Sequence, residues 1–91
     1  MNILEKANQI VNERSEEKTR EYGSFSEGMA RASTIASMIS QKNFTTHDLF
    51  VCMIALKLSR QSFNHKEDNL LDAVAYIGAW QNFINETKQN Q

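Results

Sequence analysis

Apolar residues recur three and four positions apart in four segments of the chain, the spacing of an α-helix with one buried face. We place these helices at about residues 2–21, 25–40, 46–64 and 67–85. The chain contains no proline, so no residue in these segments removes a helical hydrogen bond. The pattern predicts an all-α fold, a four-helix antiparallel bundle in a single domain over residues 1–85, with a frayed tail at 86–91.

The third predicted helix is apolar on nearly all sides, unlike the other three. Its apolar residues are Leu49, Phe50, Val51, Cys52, Met53, Ile54, Leu56 and Leu58. A helix of this kind is buried on more than one side, yet a chain of 91 residues has only a thin core of its own. We therefore expect a homo-oligomer with this helix in a subunit interface. Cys52, the single cysteine, is expected to be a small buried hydrophobic residue.

Two helix starts have clear capping signals. Ser24 is followed three residues later by Glu27, which is the spacing of a capping box. Thr45 or Thr46 is expected to cap the third helix, where Asp48 near the first turn suits the positive end of the helix dipole.

Composition narrows the classes of function. A net charge of −1 disfavours a protein that binds bulk nucleic acid, because such proteins carry a strongly basic face. No window approaches the roughly 18 apolar residues of a membrane helix, so we expect no membrane insertion. The N-terminus has no signal-like apolar stretch, and we expect a cytoplasmic protein. Any site for an anion must then be local.

The third and fourth predicted helices are joined by a short turn near residues 64–66, so we expect an antiparallel helical hairpin. Lys57 and Arg60 then share one face of the third helix. Counting from the turn places Arg60 near Asp72 and Lys57 near residues 74–76 of the fourth helix. Charges on otherwise apolar helices need partners. Two interpretations stay open, which are a structural Arg60–Asp72 ion pair and a site where a ligand phosphate sits beside or in place of the carboxylate.

Asp68, Asp72 and Tyr76 recur every fourth residue on the fourth predicted helix and form one polar stripe. Mg²⁺ binds one or two carboxylates together with substrate phosphates, so Glu27, Asp68 and Asp72 make an alternative metal site. Metal-dependent hydrolysis needs a denser set of carboxylates from two neighbouring helices. Our main expectation is no catalytic residue, no metal and no cofactor, with Mg²⁺ as the alternative.

Further polar residues complete a candidate site. Arg20 and Tyr22 flank the loop before the second predicted helix, where free N–H groups favour an anion. Tyr22 alone is also interpretable as an apolar lid on the helix junction. No serine or cysteine nucleophile lies at a spacing from His65 that would indicate catalysis. We therefore interpret His65 as a hydrogen-bond donor to a phosphate. The predicted ligand-binding set is Arg20, Tyr22, Lys57, Arg60, His65, Asp72 and Tyr76. In it the cations neutralise phosphates, a tyrosine stacks on a base, and Asp72 orients the arginine.

As a combination these residues resemble a family pattern. The chain is similar over residues 3–83 to a phage and prophage family of small all-helical proteins of unknown function. The matching positions are Arg20, Tyr22-Gly23, Glu27, Asp48, Lys57-Leu58-Ser59-Arg60 and Asp72-Ala73-Val74-Ala75-Tyr76. Such proteins look distantly like the helical nucleoside-triphosphate pyrophosphatases of the MazG type. The sequence departs from that enzyme pattern because it lacks a Glu-x-x-Glu motif and spaces Asp68 and Asp72 by four residues instead of three.

The resemblance implies three alternative functions. The first is a phage-type protein of the host cytosol that binds and sequesters a phosphorylated small molecule, such as a cyclic nucleotide immune signal, as an anti-defence sponge. The second is a MazG-like, Mg²⁺-dependent nucleotide pyrophosphohydrolase. The third is a protein-interaction module with a host or phage protein as its partner, similar to the T-even lysis-inhibition accessory protein. The cations are better placed than the carboxylates, so the sequence favours the first.

Overall fold

The computed structural model describes residues 1–13, 17–18, 20 and 24–89, and the predicted all-α fold is confirmed. Its helices are α1 (Ile3–Asn12), α2 (Phe25–Ser40), α3 (Thr46–Phe63) and α4 (Glu67–Gln89). No strand occurs in the described ranges. No helix of that part of the chain has the length and apolar character needed to cross a membrane.

The predicted helix caps are confirmed. The Ser24 side chain accepts from the N–H of Glu27 at 3.1 Å, and the Glu27 carboxylate accepts from the N–H of Ser24 at 3.3 Å. Thr45 is the N-cap of α3 and forms the same reciprocal pair with Asp48. A third capping box, at Asn2, begins α1. Each box satisfies backbone donors that have no partner inside the helix.

The boundaries of the first and last helices differ from the prediction. The first helix does not run unbroken to residue 21. It ends at Asn12, where the backbone of Glu13 leaves the helical region with φ −119° and ψ 38°, and residues 17, 18 and 20 are again helical. After Val11 the sequence offers no further apolar stripe that packing would stabilise. Residues 14–16, 19 and 21–23, which include Tyr22-Gly23 of the family pattern, lie outside the described residues. The last helix continues to Gln89, past the predicted end at residue 85.

Residues at the turn between α2 and α3 hold the two helices antiparallel. Gln41 ends α2 in the left-handed region, with φ 57°. The Ser37 hydroxyl then accepts from the backbone N–H of Phe44 at 2.9 Å. The Ser33 and Thr46 hydroxyls lie 3.4 Å apart across the two helices.

Helices α3 and α4 form the predicted antiparallel hairpin. Lys57, in the second half of α3, pairs with Asp72 near the start of α4. His47, in the first turn of α3, receives a hydrogen bond from Trp80, which is further along α4. Positions that advance along one helix therefore recede along the other.

Helix α1 packs against α4, and the two helices run parallel. Lys6 pairs with Glu67 at the start of α4, and the Asn82 amide donates to the Asn12 side chain at 2.9 Å. The hydrogen bond and the positive charge of Lys6, with a smaller contribution from the charge of His65, hold the pKa of Glu67 below its ordinary value of 4.5.

The core is small and is centred on Phe50, whose side chain is fully buried with Met29 and Ala79. The Phe50 ring stacks on Trp80 with ring centroids 6.2 Å apart and planes 7° from parallel. The buried apolar residues of α4 are alanines, at 73, 75 and 79. Alanine lets the helices approach closely but removes little apolar surface from water.

One face of α3 exposes apolar side chains to solvent. We call it the outer face of α3 and define it by six exposed residues: Val51, Cys52, Ala55, Leu56, Leu58 and Phe63. Phe63 is 94% exposed. Cys52 is exposed, so the expectation that it is buried is wrong. The helix packs only its opposite face against α2 and α4, and Cys52 lies on the side that no other element of the described chain covers.

Candidate functional site

A groove of about 770 Å³ lies between the second half of α3 and the start of α4. It is lined by Lys57, Ser59, Arg60, Phe63, Asn64, Lys66, Asp68, Asn69 and Asp72. Three cations and two carboxylates therefore face one cavity. The volume lies within the range of small-molecule sites, roughly 300–1,000 Å³.

Lys57 and Asp72 form an ion pair across the hairpin beside the groove. The ammonium nitrogen lies 3.1 Å from a carboxylate oxygen, and the two side chains are 16% and 36% exposed. The prediction of a structural Arg60–Asp72 ion pair is wrong, because Asp72 pairs with Lys57 instead. Lys57 lies on the side of α3 that packs against α4, whereas Arg60 lies on the exposed side. Lys57 is thus positioned by a partner that is itself open to solvent on the groove side.

Arg60 and Lys66 provide cationic groups that no carboxylate of the described residues neutralises. Both side chains are exposed and line the groove. Neither the Arg60 guanidinium nor the Lys66 ammonium has an ion-pair partner among the described residues. A guanidinium of this kind presents several donors in a planar fork that matches a phosphate.

The turn between α3 and α4 fixes the closed end of the groove. Asn69 is buried there, and its side-chain amide donates to the backbone carbonyl of Asn64 at 3.3 Å. The backbone N–H of Asn69 donates to the carbonyl of Lys66 at 3.0 Å. These bonds place the N-terminal turn of α4, whose N–H groups favour negative charge, at the groove.

Three of the predicted ligand residues line this groove, and Tyr76 does not. Lys57, Arg60 and Asp72 come together as expected. Tyr76 instead packs edge-on against Phe25, with ring centroids 5.4 Å apart, and belongs to the core. The predicted polar stripe therefore stops at Asp72, because α2 begins against α4 one turn later and covers Tyr76.

The remaining predicted ligand residues do not line the groove. His65 is exposed in the turn, with its Nδ1 2.8 Å from the side-chain nitrogen of Gln61. Arg20 is exposed and contributes no lining atom to the groove. Tyr22 lies outside the described residues. The involvement of His65, Arg20 and Tyr22 in binding stays a prediction.

The alternative metal set is not assembled in the described part of the chain. Asp68 and Asp72 line the groove one helical turn apart. Glu27 is committed to the capping box of α2 and is absent from the groove. No group of three or more metal-ligating side chains forms among the described residues.

The structure adds groove residues that the candidate set lacked. Lys66 and Asn69 line it, and Phe63 forms an apolar wall. Lys66 could have been predicted from its position in the turn, next to His65 of the predicted ligand-binding set. Phe63 carried no signal, because a lone phenylalanine near a helix end is indistinguishable in sequence from a core residue.

Comparison with known proteins places the chain in a family but adds no activity. A family model described as "Domain of unknown function (DUF6378)" matches residues 2–84. No curated protein and no solved structure matches the chain.

Proposed function

We propose that this chain, which belongs to the DUF6378 domain family, binds a phosphorylated small molecule in the groove between α3 and α4 and holds it without cleaving it. The ligand class that suits the groove best is a nucleotide. The fuller proposal, which rests on the resemblance described above, is a phage-type cytosolic protein that sequesters a nucleotide immune signal as an anti-defence sponge.

The observation that carries the proposal is the pair of unneutralised cations in the groove. Arg60 and Lys66 face the same cavity as the Lys57–Asp72 pair, and neither has a carboxylate partner in the described chain. A phosphate between them forms charge-assisted hydrogen bonds that are stronger than neutral ones. The start of α4 adds backbone N–H donors on the same side.

The Lys57–Asp72 pair has a supporting role in this proposal. Asp72 fixes the position of the Lys57 ammonium before ligand arrives, which reduces the entropy lost on binding. Phe63 provides an apolar surface at the groove wall for a nucleobase or another flat group.

Calorimetric titration with a panel of cyclic and linear nucleotides tests the proposal. Arg60→Ala and Lys66→Ala should each weaken binding by about tenfold or more, since each removes a charge-assisted contact. Lys42→Ala is the matched control, because Lys42 is an exposed lysine outside the groove. Ligand released by denaturation should be intact. Failure of every nucleotide to bind, or recovery of hydrolysed product alone, contradicts the proposal.

The second candidate is a Mg²⁺-dependent pyrophosphohydrolase, favoured by the position of Asp68 and Asp72 one turn apart in the same groove. Two carboxylates of this spacing suit a magnesium ion that also binds substrate phosphates. This candidate predicts release of pyrophosphate that stops when a chelator is added. Asp68→Asn should abolish that release, whereas under the binding proposal it should leave affinity unchanged or raise it by removing a negative charge.

A further inference from the structure

We infer that a second copy of this chain docks on the outer face of α3, so that the protein is a two-fold symmetric dimer with α3 packed against α3. This inference rests on observations other than the proposed ligand, although Ser59 and Phe63 line both the groove and the outer face. It rests on the surface area that the single chain exposes, on the side chains of the outer face, and on the absence of charge from the centre of that face.

The single chain exposes more surface than is average for a compact monomer of its mass. Its solvent-accessible surface is 6567 Å². A compact monomeric protein of 10.4 kDa exposes about 5,400 Å², so the excess is about 1,200 Å². The radius of gyration, 13.9 Å, likewise exceeds the roughly 12 Å of a compact domain of this length. A stable interface removes about 800 Å² from each partner, which the excess surface is large enough to supply.

The outer face has the form of a helix-packing surface. Val51 and Leu58 make one apolar row seven residues apart, and Leu56 and Phe63 make a second row with the same spacing. Smaller residues lie exposed between the rows, at Cys52, Ala55, Ser59 and Ser62. Small side chains between two large rows let another helix approach closely while the rows pack beside it.

Charge identifies the occupant as another copy of the same face. From Leu49 to Ser59 the sequence has a single charged residue, Lys57, and that side chain is paired with Asp72 on the inner side of the helix. Arg60, the next charged residue, lies at the edge of the outer face and lines the groove. A partner with charged side chains would bury them without compensation at this surface. An identical uncharged face avoids that cost, and symmetric pairs of one patch are the commonest way in which proteins assemble.

A matched pair of glutamate substitutions tests the assignment. Sedimentation from about 1 µM to about 100 µM should show the wild type at twice its 10.4 kDa chain mass at the upper end. Leu58→Glu should remain at the mass of one chain over the same range. Ile39→Glu is the control, because Ile39 is an exposed apolar residue of α2, outside the outer face, and this variant should stay dimeric.

The thiol of Cys52 gives a measurement that does not depend on a destabilising variant. Its position between the two apolar rows of the outer face predicts that alkylation of the folded wild type slows by about tenfold or more at the concentration where the dimer forms. A wild type that stays monomeric overturns the inference, even if it captures a lysate protein or a lipid vesicle. So does a dimer whose Cys52 reacts at the monomer rate, or one that Ile39→Glu dissociates and Leu58→Glu does not.

Discussion

The indole N–H of Trp80 donates to Nδ1 of His47 across 2.8 Å, and this bond joins the first turn of α3 to the middle of α4. The His47 ring also lies edge-on to Phe83, with centroids 5.3 Å apart. His47 is therefore a structural residue at the rim of the core, although sequence alone treats it as an ordinary helix-end histidine.

Replacement of His47 by phenylalanine should keep the ring contact with Phe83 and remove the nitrogen that accepts the hydrogen bond from Trp80. The Trp80 indole then has no partner in the described chain, so we expect a loss of about 1 kcal/mol in the free energy of unfolding and a shift in tryptophan emission. His65→Phe is the control, because its ring is exposed in the turn, where it hydrogen-bonds to the nearby Gln61. Equal effects of the two substitutions would show that the bond to Trp80 contributes nothing.

The Lys57–Asp72 pair should respond unequally to removal of its two members. Lys57 is the more buried, so Asp72→Ala leaves a poorly solvated ammonium without a partner and should destabilise by about 1–3 kcal/mol. Lys57→Met leaves a carboxylate that water still reaches, and a side chain that packs, so its cost should be smaller. Urea unfolding of both single variants and the double variant measures the difference. A larger loss in Lys57→Met would contradict this account of the pair.

Sequence reasoning predicted the elements that depend on local signals. The capping boxes at Ser24 and Thr45 and the α3–α4 hairpin follow from side-chain chemistry within a few residues. The unbroken continuation of the first helix past Asn12 was wrong, because the polar segment that follows has no apolar face whose packing would hold it. Intrinsic helix propensity alone is too weak to decide such boundaries.

Sequence reasoning likewise predicted the part of the candidate site that depends on local spacing and missed the part that depends on tertiary contacts. Lys57, Arg60 and Asp72 were brought together by hairpin geometry, which spacing alone determines. The partner of Asp72 was missed because it depends on the rotation of α3 about its axis. Tyr76 was missed because its environment is set by Phe25, a residue more than fifty positions away in sequence. The spacing of residues along a single helix does not predict contacts between distant segments of the chain.

The pair of Lys6 with Glu67 predicts a pH dependence with a definite sign. Lys6 lowers the pKa of Glu67 in the folded chain below its ordinary value of 4.5. The stabilisation is therefore present at neutral pH and is lost as the pH falls below 4.5, through the folded pKa. Lys6→Met should lower the urea midpoint at neutral pH and converge with the wild type in acid. Lys42→Met is the control, and a difference that persists unchanged in acid would exclude the ion pair as its cause.

Two phenylalanines on α3 should differ sharply in their effect on stability. Phe50 is fully buried against Trp80, whereas Phe63 is 94% exposed in the single chain. Phe50→Leu should cost about 1–3 kcal/mol, since it leaves a cavity in a core where no other large side chain of the described residues is fully buried. Phe63→Leu should change the free energy of unfolding by no more than about 0.5 kcal/mol. Both variants are measured by urea unfolding at a concentration low enough to keep the chain monomeric, so that any contribution of Phe63 to self-association does not enter. A comparable loss in the two variants would place Phe63 in the core and contradict the described orientation of α3.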